Sequence, residues 1–312
     1  MSTRQSICLD GSGGRAGSQQ QPAGTWIRFN WEDADDRTWL ESDAGMDELV
    51  SESLLAEDTR PRVVEHDKGL LLILRGVNPN AGSRPEDMIS LRLWFDGDRL
   101  ISTSRYPLRT VEGIIHQLEQ GTGPATLADL LMELVEGLAE RTDELIESIE
   151  EGIDELEAQL LDGADRELRG RIGQIRRSII VIRRYLAPQR DALARLSIIN
   201  RPLLAAMDRG RVREQADALT RLVEDLDMAR ERGAMIHEQL LTRLSDQLNT
   251  RMYILSIVAA IFLPLGFVTG LFGINVGGMP WVETERGFWW VMLLILGIGA
   301  GLGIWLKRRR WF

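Results

Sequence analysis

The chain has 312 residues, with 37 Lys+Arg, 47 Asp+Glu, 3 His and 1 Cys, and a formal net charge of −10. An acidic chain is a poor general nucleic-acid binder, and a lone cysteine, Cys8, excludes a disulfide framework and any thiolate-clustered metal site. The 44% hydrophobic content looks ordinary for a soluble protein, but the charge is uneven: residues 1–251 carry −13 and residues 252–312 carry +3.

Residues 1–24 read as a disordered N-terminal tail, because 9–24 are rich in Gly, Ser and Gln. The first 30 residues lack an apolar run, so no cleavable leader is expected. Residues 25–124 read as an α/β domain with a mostly antiparallel sheet. Thr25–Trp31 alternates like a strand, and Gly45–Glu57 suits a short amphipathic helix. Arg62–His66 and Leu70–Arg75 flank Asp67-Lys68-Gly69, and Met88–Phe95 and Arg99–Ser104 flank Asp96-Gly97-Asp98, which predicts two hairpins. Pro107–Gln120 is helical and ends at Gly121-Thr122-Gly123-Pro124.

Residues 125–251 read as a helical stalk. Thr126–Leu161 is one long helix, capped by Thr126 with Asp129 three residues on. Leu138, Thr142, Leu145, Ile149, Ile153, Leu156 and Leu160 form its apolar seam. Gly163 breaks it. A second helix runs from about Arg166 to Leu186, is interrupted at Pro188, and resumes over Asp191–Ile199. The third predicted helix runs from Arg211 to Phe272, about 90 Å at about 1.5 Å per residue.

No charge occurs between Met252 and Val282. Residues 252–272 and 287–306 each have the roughly 20 apolar residues that a membrane span needs. The loop 273–286 joins them, and 307–312 form a basic tail. Arg243, Arg251 and Lys307–Arg310 outweigh Arg286 in the loop, so both chain ends are expected in the cytoplasm. Trp281, Trp289 and Trp290 mark one interface, and Trp305 and Trp311 the other.

No Walker-type phosphate loop, nucleophile elbow or metalloprotease helix occurs, so the chain does not read as an enzyme. The informative segment is the first span. Asn249, Met252, Leu255 (or Ser256), Ala259, Leu263, Gly266, Gly270 and Gly273 fall in a stripe about 120° wide. A stripe of small and flexible residues is either a helix-packing face or a pore lining shared by several copies. Asn275 follows it. A ring of amide oxygens at that position would select a hydrated cation by size and charge.

The sequence Phe272-Gly273-Ile274-Asn275, followed by Met279-Pro280, resembles the Gly-Met-Asn loop of CorA-type divalent-cation transporters. Isoleucine in place of methionine and phenylalanine in place of tyrosine resemble the ZntB branch of zinc transporters. Asp58–Val63, Glu119–Pro124 and Arg183–Asp191 point the same way, and the likeness covers roughly residues 25–312. The resemblance implies an α+β cytoplasmic domain, long stalk helices, a two-helix transmembrane hairpin and assembly as a homopentameric funnel in a bacterial-type inner membrane. It implies that residues 252–272 line the pore and that Gly273, Ile274 and Asn275 form the periplasmic entrance. Glu283 and Glu285, in the outer loop, either attract cations there or are ordinary loop charges.

Neither span holds Cys, His, Asp or Glu, so a dry four-coordinate zinc site is not expected within the membrane. The transported ion, Zn²⁺ or another divalent cation, is expected to pass hydrated, with no cofactor. Met252 and Leu255 would form apolar constrictions. The partners expected are membrane lipid, the metal ions and the chain itself. The residues do not name a regulatory metal site. They also leave open Mg²⁺, Co²⁺ or Ni²⁺ as cargo, and a non-conducting coiled-coil scaffold.

Overall fold

The computed structural model describes residues 3–17, 20–42, 44–162, 165–274, 280–281 and 284–308, except for the side chains of 162 and 165–167. The chain divides into two compact units, Met1–His237 and Glu238–Phe312.

The first unit is built on six strands: β1 (Gln5–Leu9), β2 (Gly24–Phe29), β3 (Arg62–His66), β4 (Gly69–Gly76), β5 (Ile89–Phe95) and β6 (Arg99–Thr103). Their order is β1-β2-β6-β5-β4-β3, antiparallel throughout except for β2 against β6. β3–β4 and β5–β6 are the two hairpins. Gly97, at φ 99°, supplies the left-handed residue that the second turn needs. β4 and β5 are buried along their whole length, which explains their unbroken apolar runs.

One sheet face carries Leu71, Ile73, Trp94, Ile101 and Phe29. It packs on Leu40 of α1 (Ala34–Ser42) and on Val50 and Leu54 of α2 (Glu48–Leu55). The opposite face meets α4 (Leu127–Asp162). A Cβ on Gly76 would lie 2.5 Å from Leu138 Cδ2, and one on Gly24 2.5 Å from Leu127 Cγ. α3 (Arg109–Gln120) also packs on α4 and ends at Gly121 in the left-handed conformation.

Three sequence expectations change. Residues 5–9 are not part of a disordered tail: they form the edge strand β1, with Ile7 and Leu9 buried. Pairing with β2, 15 to 23 positions away in register, supplies what local composition did not. α1 was not foreseen, because its segment is polar. Asp33 Oδ1 accepts from the Asp35 and Asp36 amides and starts the helix. α2 begins three residues after Gly45, whose φ of 66° lies outside helix geometry, and is therefore shorter than the expected helix.

α4 opens on the foreseen reciprocal cap: the Asp129 amide donates to Thr126 Oγ1 at 3.1 Å and the Thr126 amide to Asp129 Oδ2 at 3.3 Å. Ile146, rather than Leu145, is the fully buried seam residue at that turn. α5 (Asp165–Ile198) passes through Pro188 unbroken. The proline leaves one carbonyl without its donor, but buried Leu186, Gln189, Ala192 and Leu193 hold the helix on both sides of it. Gln189 Oε1 also accepts the Arg75 amide at 2.6 Å, where β4 extends past β3.

α6 (Arg209–Gly273) is a single helix of 65 residues. Within the first unit it buries Val212, Leu219, Val223, Leu226 and Ile236. Arginine forks clamp it to its neighbours. Arg211 holds Glu136 at 2.7 Å, and Arg232 holds Asp154 at 2.5 Å and Glu157 at 2.9 Å, both on α4. The Glu157 and Asp154 carboxylates raise Arg232 well above its ordinary range.

The second unit contains the last part of α6 and α7 (Gly287–Arg308). α6 and α7 are each long and apolar enough to cross a membrane. Pro264 sits inside α6 without ending it.

Candidate functional site

Two faces of the apolar part of α6 have different surroundings. Ile257 is buried and Ile261, Pro264, Leu265 and Val268 are half-buried. This is the side against α7: a Cβ on Gly299 would lie 3.9 Å from Leu265 Cδ1. On α7 the matching residues, Val291, Ile295, Ile298, Leu302 and Leu306, are likewise half-buried or buried.

The stripe singled out from the sequence lies on the other side. Asn249, Met252, Leu255, Ser256, Leu263, Gly266, Gly270 and Gly273 are exposed, and Ala259 is half-buried. Leu255 and Leu263 retain 69% and 71% of their surface. With 3.6 residues per turn, the centres of the two faces are roughly 190° apart. The helix thus gives one side to α7 and leaves the other without a partner among the described residues.

The unpartnered face is uncharged. Its one hydroxyl, Ser256 Oγ, donates to the Met252 carbonyl at 2.8 Å and is satisfied within the helix. Nothing lies within 4 Å of a Cβ placed on Gly266, Gly270 or Gly273. Among the described residues, these glycines do not accommodate a neighbour. The exposed arc is wider than the stripe, because Phe262 and Phe267 flank it at 66% and 71% exposure. Sequence reasoning missed these two. The signal available was their position, at the margins of the same arc.

At the far end, Ile274 is exposed, and Asn275 and Glu283 lie outside the described residues. Glu285 is exposed. The described flanks of the loop are well built. The Phe272 and Trp281 rings stack nearly parallel, 6.4 Å apart. Thr284 donates to the Trp281 carbonyl through its amide at 3.2 Å and its hydroxyl at 2.8 Å. Trp281 itself has φ 66°, a strained value for a bulky residue. A Cβ on Gly287 would run into the Trp281 carbonyl oxygen, so α7 has to start on glycine. Among the described residues no trio of His, Cys, Asp or Glu is placed to hold a metal ion.

Residues 23–308 match the family described as CorA-like Mg²⁺ transporter protein. The chain belongs to the CorA-like transporter family. Its members are transporters of divalent cations, not enzymes, and are membrane proteins. Within the family this CorA-like chain is ZntB-like. It is 33% identical over 310 residues to the zinc transport protein ZntB of Yersinia enterocolitica, covering 97% of this chain and 94% of that one. It is 37% identical over 291 residues to the divalent cation transporter CmaX of Pseudomonas aeruginosa, covering 92% and 87%. The solved structure of full-length CmaX matches with a TM-score of 0.83 at 36% identity, covering 98% of this chain and 97% of that one. The α+β domain, long helices and two apolar helices of this CorA-like chain are the architecture of those neighbours.

Proposed function

We propose that the chain carries Zn²⁺ across a bacterial inner membrane through the central pore of a homopentamer. The stripe from Asn249 to Gly273 faces that pore. The observation that carries this reading is the unpartnered, uncharged face of α6, set opposite the face that holds α7. In a ring of copies such a face becomes a common lumen, and α7 is left on the outside.

Selection occurs at Gly273, Ile274 and Asn275. Five Asn275 amide oxygens touch the water shell of the ion, and backbone carbonyls assist. Neither span offers zinc the Cys, His, Asp or Glu ligands it prefers, so the ion keeps its water there. Met252 and Leu255 form the apolar constriction nearest the cytoplasm, which closes by excluding water. Glu283 and Glu285 raise the cation concentration at the entrance, and the −13 body does so at the exit. Both chain ends lie in the cytoplasm, in keeping with the distribution of basic residues. Any proton coupling runs through water, the loop or the cytoplasmic domain, because no span carries an acid or a histidine.

Transport of several divalent ions is the second reading. It is favoured by the broader name of the 37% identical relative and by the absence of zinc ligands along the path. Flux of Zn²⁺, Mg²⁺, Co²⁺ and Ni²⁺ into proteoliposomes, with and without a pH gradient, tests both. Zn²⁺ flux above the other three supports the first reading, and comparable flux of several ions the second. No flux of any ion refutes both and supports a scaffold.

A further inference from the structure

The sheet face that packs on α1 and α2 ends in two arginines. Arg92 pairs in register with Ile73 and Thr103, and Arg75 with Ser90. Arg92 is 1% exposed and Arg75 8%. Their acceptors are neutral. Arg92 Nη1 donates to the Leu54 carbonyl at 2.8 Å, and Arg75 donates to the Met88 carbonyl at 2.9 Å and the Thr59 carbonyl at 2.5 Å. The guanidinium carbons lie 4.7 Å from the Trp31 ring and 4.4 Å from the Tyr185 ring. Among the described residues Arg92 forms no ion pair, and Arg75 reaches only the exposed Asp58, at 3.9 Å. Both Nε atoms and Thr103 Oγ1 lack hydrogen-bond partners.

Two buried cations without a buried counter-charge are costly unless an anion joins them. Burial, and then the neighbouring Arg75 charge, pulls Arg92 down to about 10, so it is still charged at neutral pH. A cavity of about 570 Å³ opens onto both, lined also by Ser90, Asn78, Arg105 and Tyr106. Arg105, half exposed at the mouth, holds Glu32 at 3.0 Å. Glu57 and Asp87 also line the mouth and are exposed to water. Their charges disfavour a large polyanion and leave room for a compact one.

We propose that this cavity binds a phosphate-type oxyanion, either free phosphate or the phosphate of a monoester, held by Arg75, Arg92 and Arg105. Guanidinium forks match phosphate oxygens in pairs. The volume exceeds that of a bare phosphate and suits an ester whose organic part lies against Tyr106 and Trp31.

Calorimetric titration of the full chain in detergent, in chloride buffer, with inorganic phosphate and then adenosine monophosphate tests the proposal. Saturable binding of one probe per protomer is expected, weakened about ten-fold or more in Arg105→Ala and in Arg92→Met. Tighter binding of the nucleotide assigns an ester, and equal binding assigns free phosphate. Circular dichroism and size exclusion establish that each variant is folded. If Arg92→Met does not fold, the exposed Arg105→Ala decides alone. A folded wild type that takes up neither probe, or an unchanged affinity in Arg105→Ala, overturns the proposal.

Discussion

Arg183 on α5 donates from Nε to Asp227 Oδ1 at 2.7 Å and from Nη2 to Asp227 Oδ2 at 3.0 Å, a two-pronged clamp onto α6. The hydrogen bonds from Arg183, opposed by slight desolvation, hold the Asp227 carboxyl below its ordinary range. A depressed carboxyl contributes stability above its unfolded value of about 3.9 and loses it as pH falls through the folded value. Both side chains are more than a third exposed, so the contribution is about 0.2–1 kcal/mol. Asp227→Asn is therefore expected to lower thermal stability slightly at pH 7. The gap from wild type should close below about pH 4. A gap that persists or widens in acid would mean that the pair is not what the substitution removes.

Gly270 has open space where a side chain would stand. Gly270→Leu is accordingly expected to leave the protomer fold intact. Four added carbons per copy would obstruct a shared lumen, so cation flux should fall at least ten-fold while the oligomer persists on size exclusion. If the oligomer dissociates instead, the stripe is a packing face between helices.

Asn275→Ala removes the amide oxygen proposed to touch the hydrated ion. Uptake in proteoliposomes is expected to be abolished or greatly reduced, with assembly unchanged. Wild-type flux in that variant defeats the filter assignment.

Met252 is exposed, on the face proposed as the apolar constriction. Met252→Ser makes that constriction easier to wet. Resting flux is expected to rise, measured as uptake without a pH gradient. A fall in flux would move the constriction elsewhere.

The parts of the fold legible from the sequence were those written in local pattern. Asp96-Gly97-Asp98 announced its hairpin, and Thr126 with Asp129 announced the start of α4, because turn and cap chemistry act over three or four residues. β1 was illegible because its strand state depends on β2. Pro188 read as a break because its cost is local, while the burial that offsets it is tertiary. That the residues of the α6 stripe share one helix face was legible through their periodicity. The α7-bearing face opposite it was not, because both faces are apolar and hydropathy does not separate a helix neighbour from a lumen. The burial of Arg75 and Arg92 was not legible, because it depends on the packing of Trp31, Leu54 and Tyr185 around them.

The proposed transport turns on which side of α6 meets the ion. Single cysteines at Leu263 and at Ile261, each in a Cys8→Ser background, separate the two faces. The first residue is 71% exposed, and the second is half-buried on the side against α7. A charged thiol reagent applied to proteoliposomes during Zn²⁺ uptake is predicted to block flux through Leu263→Cys and to leave Ile261→Cys unaffected. Block at Ile261→Cys with free flux through modified Leu263→Cys would contradict it.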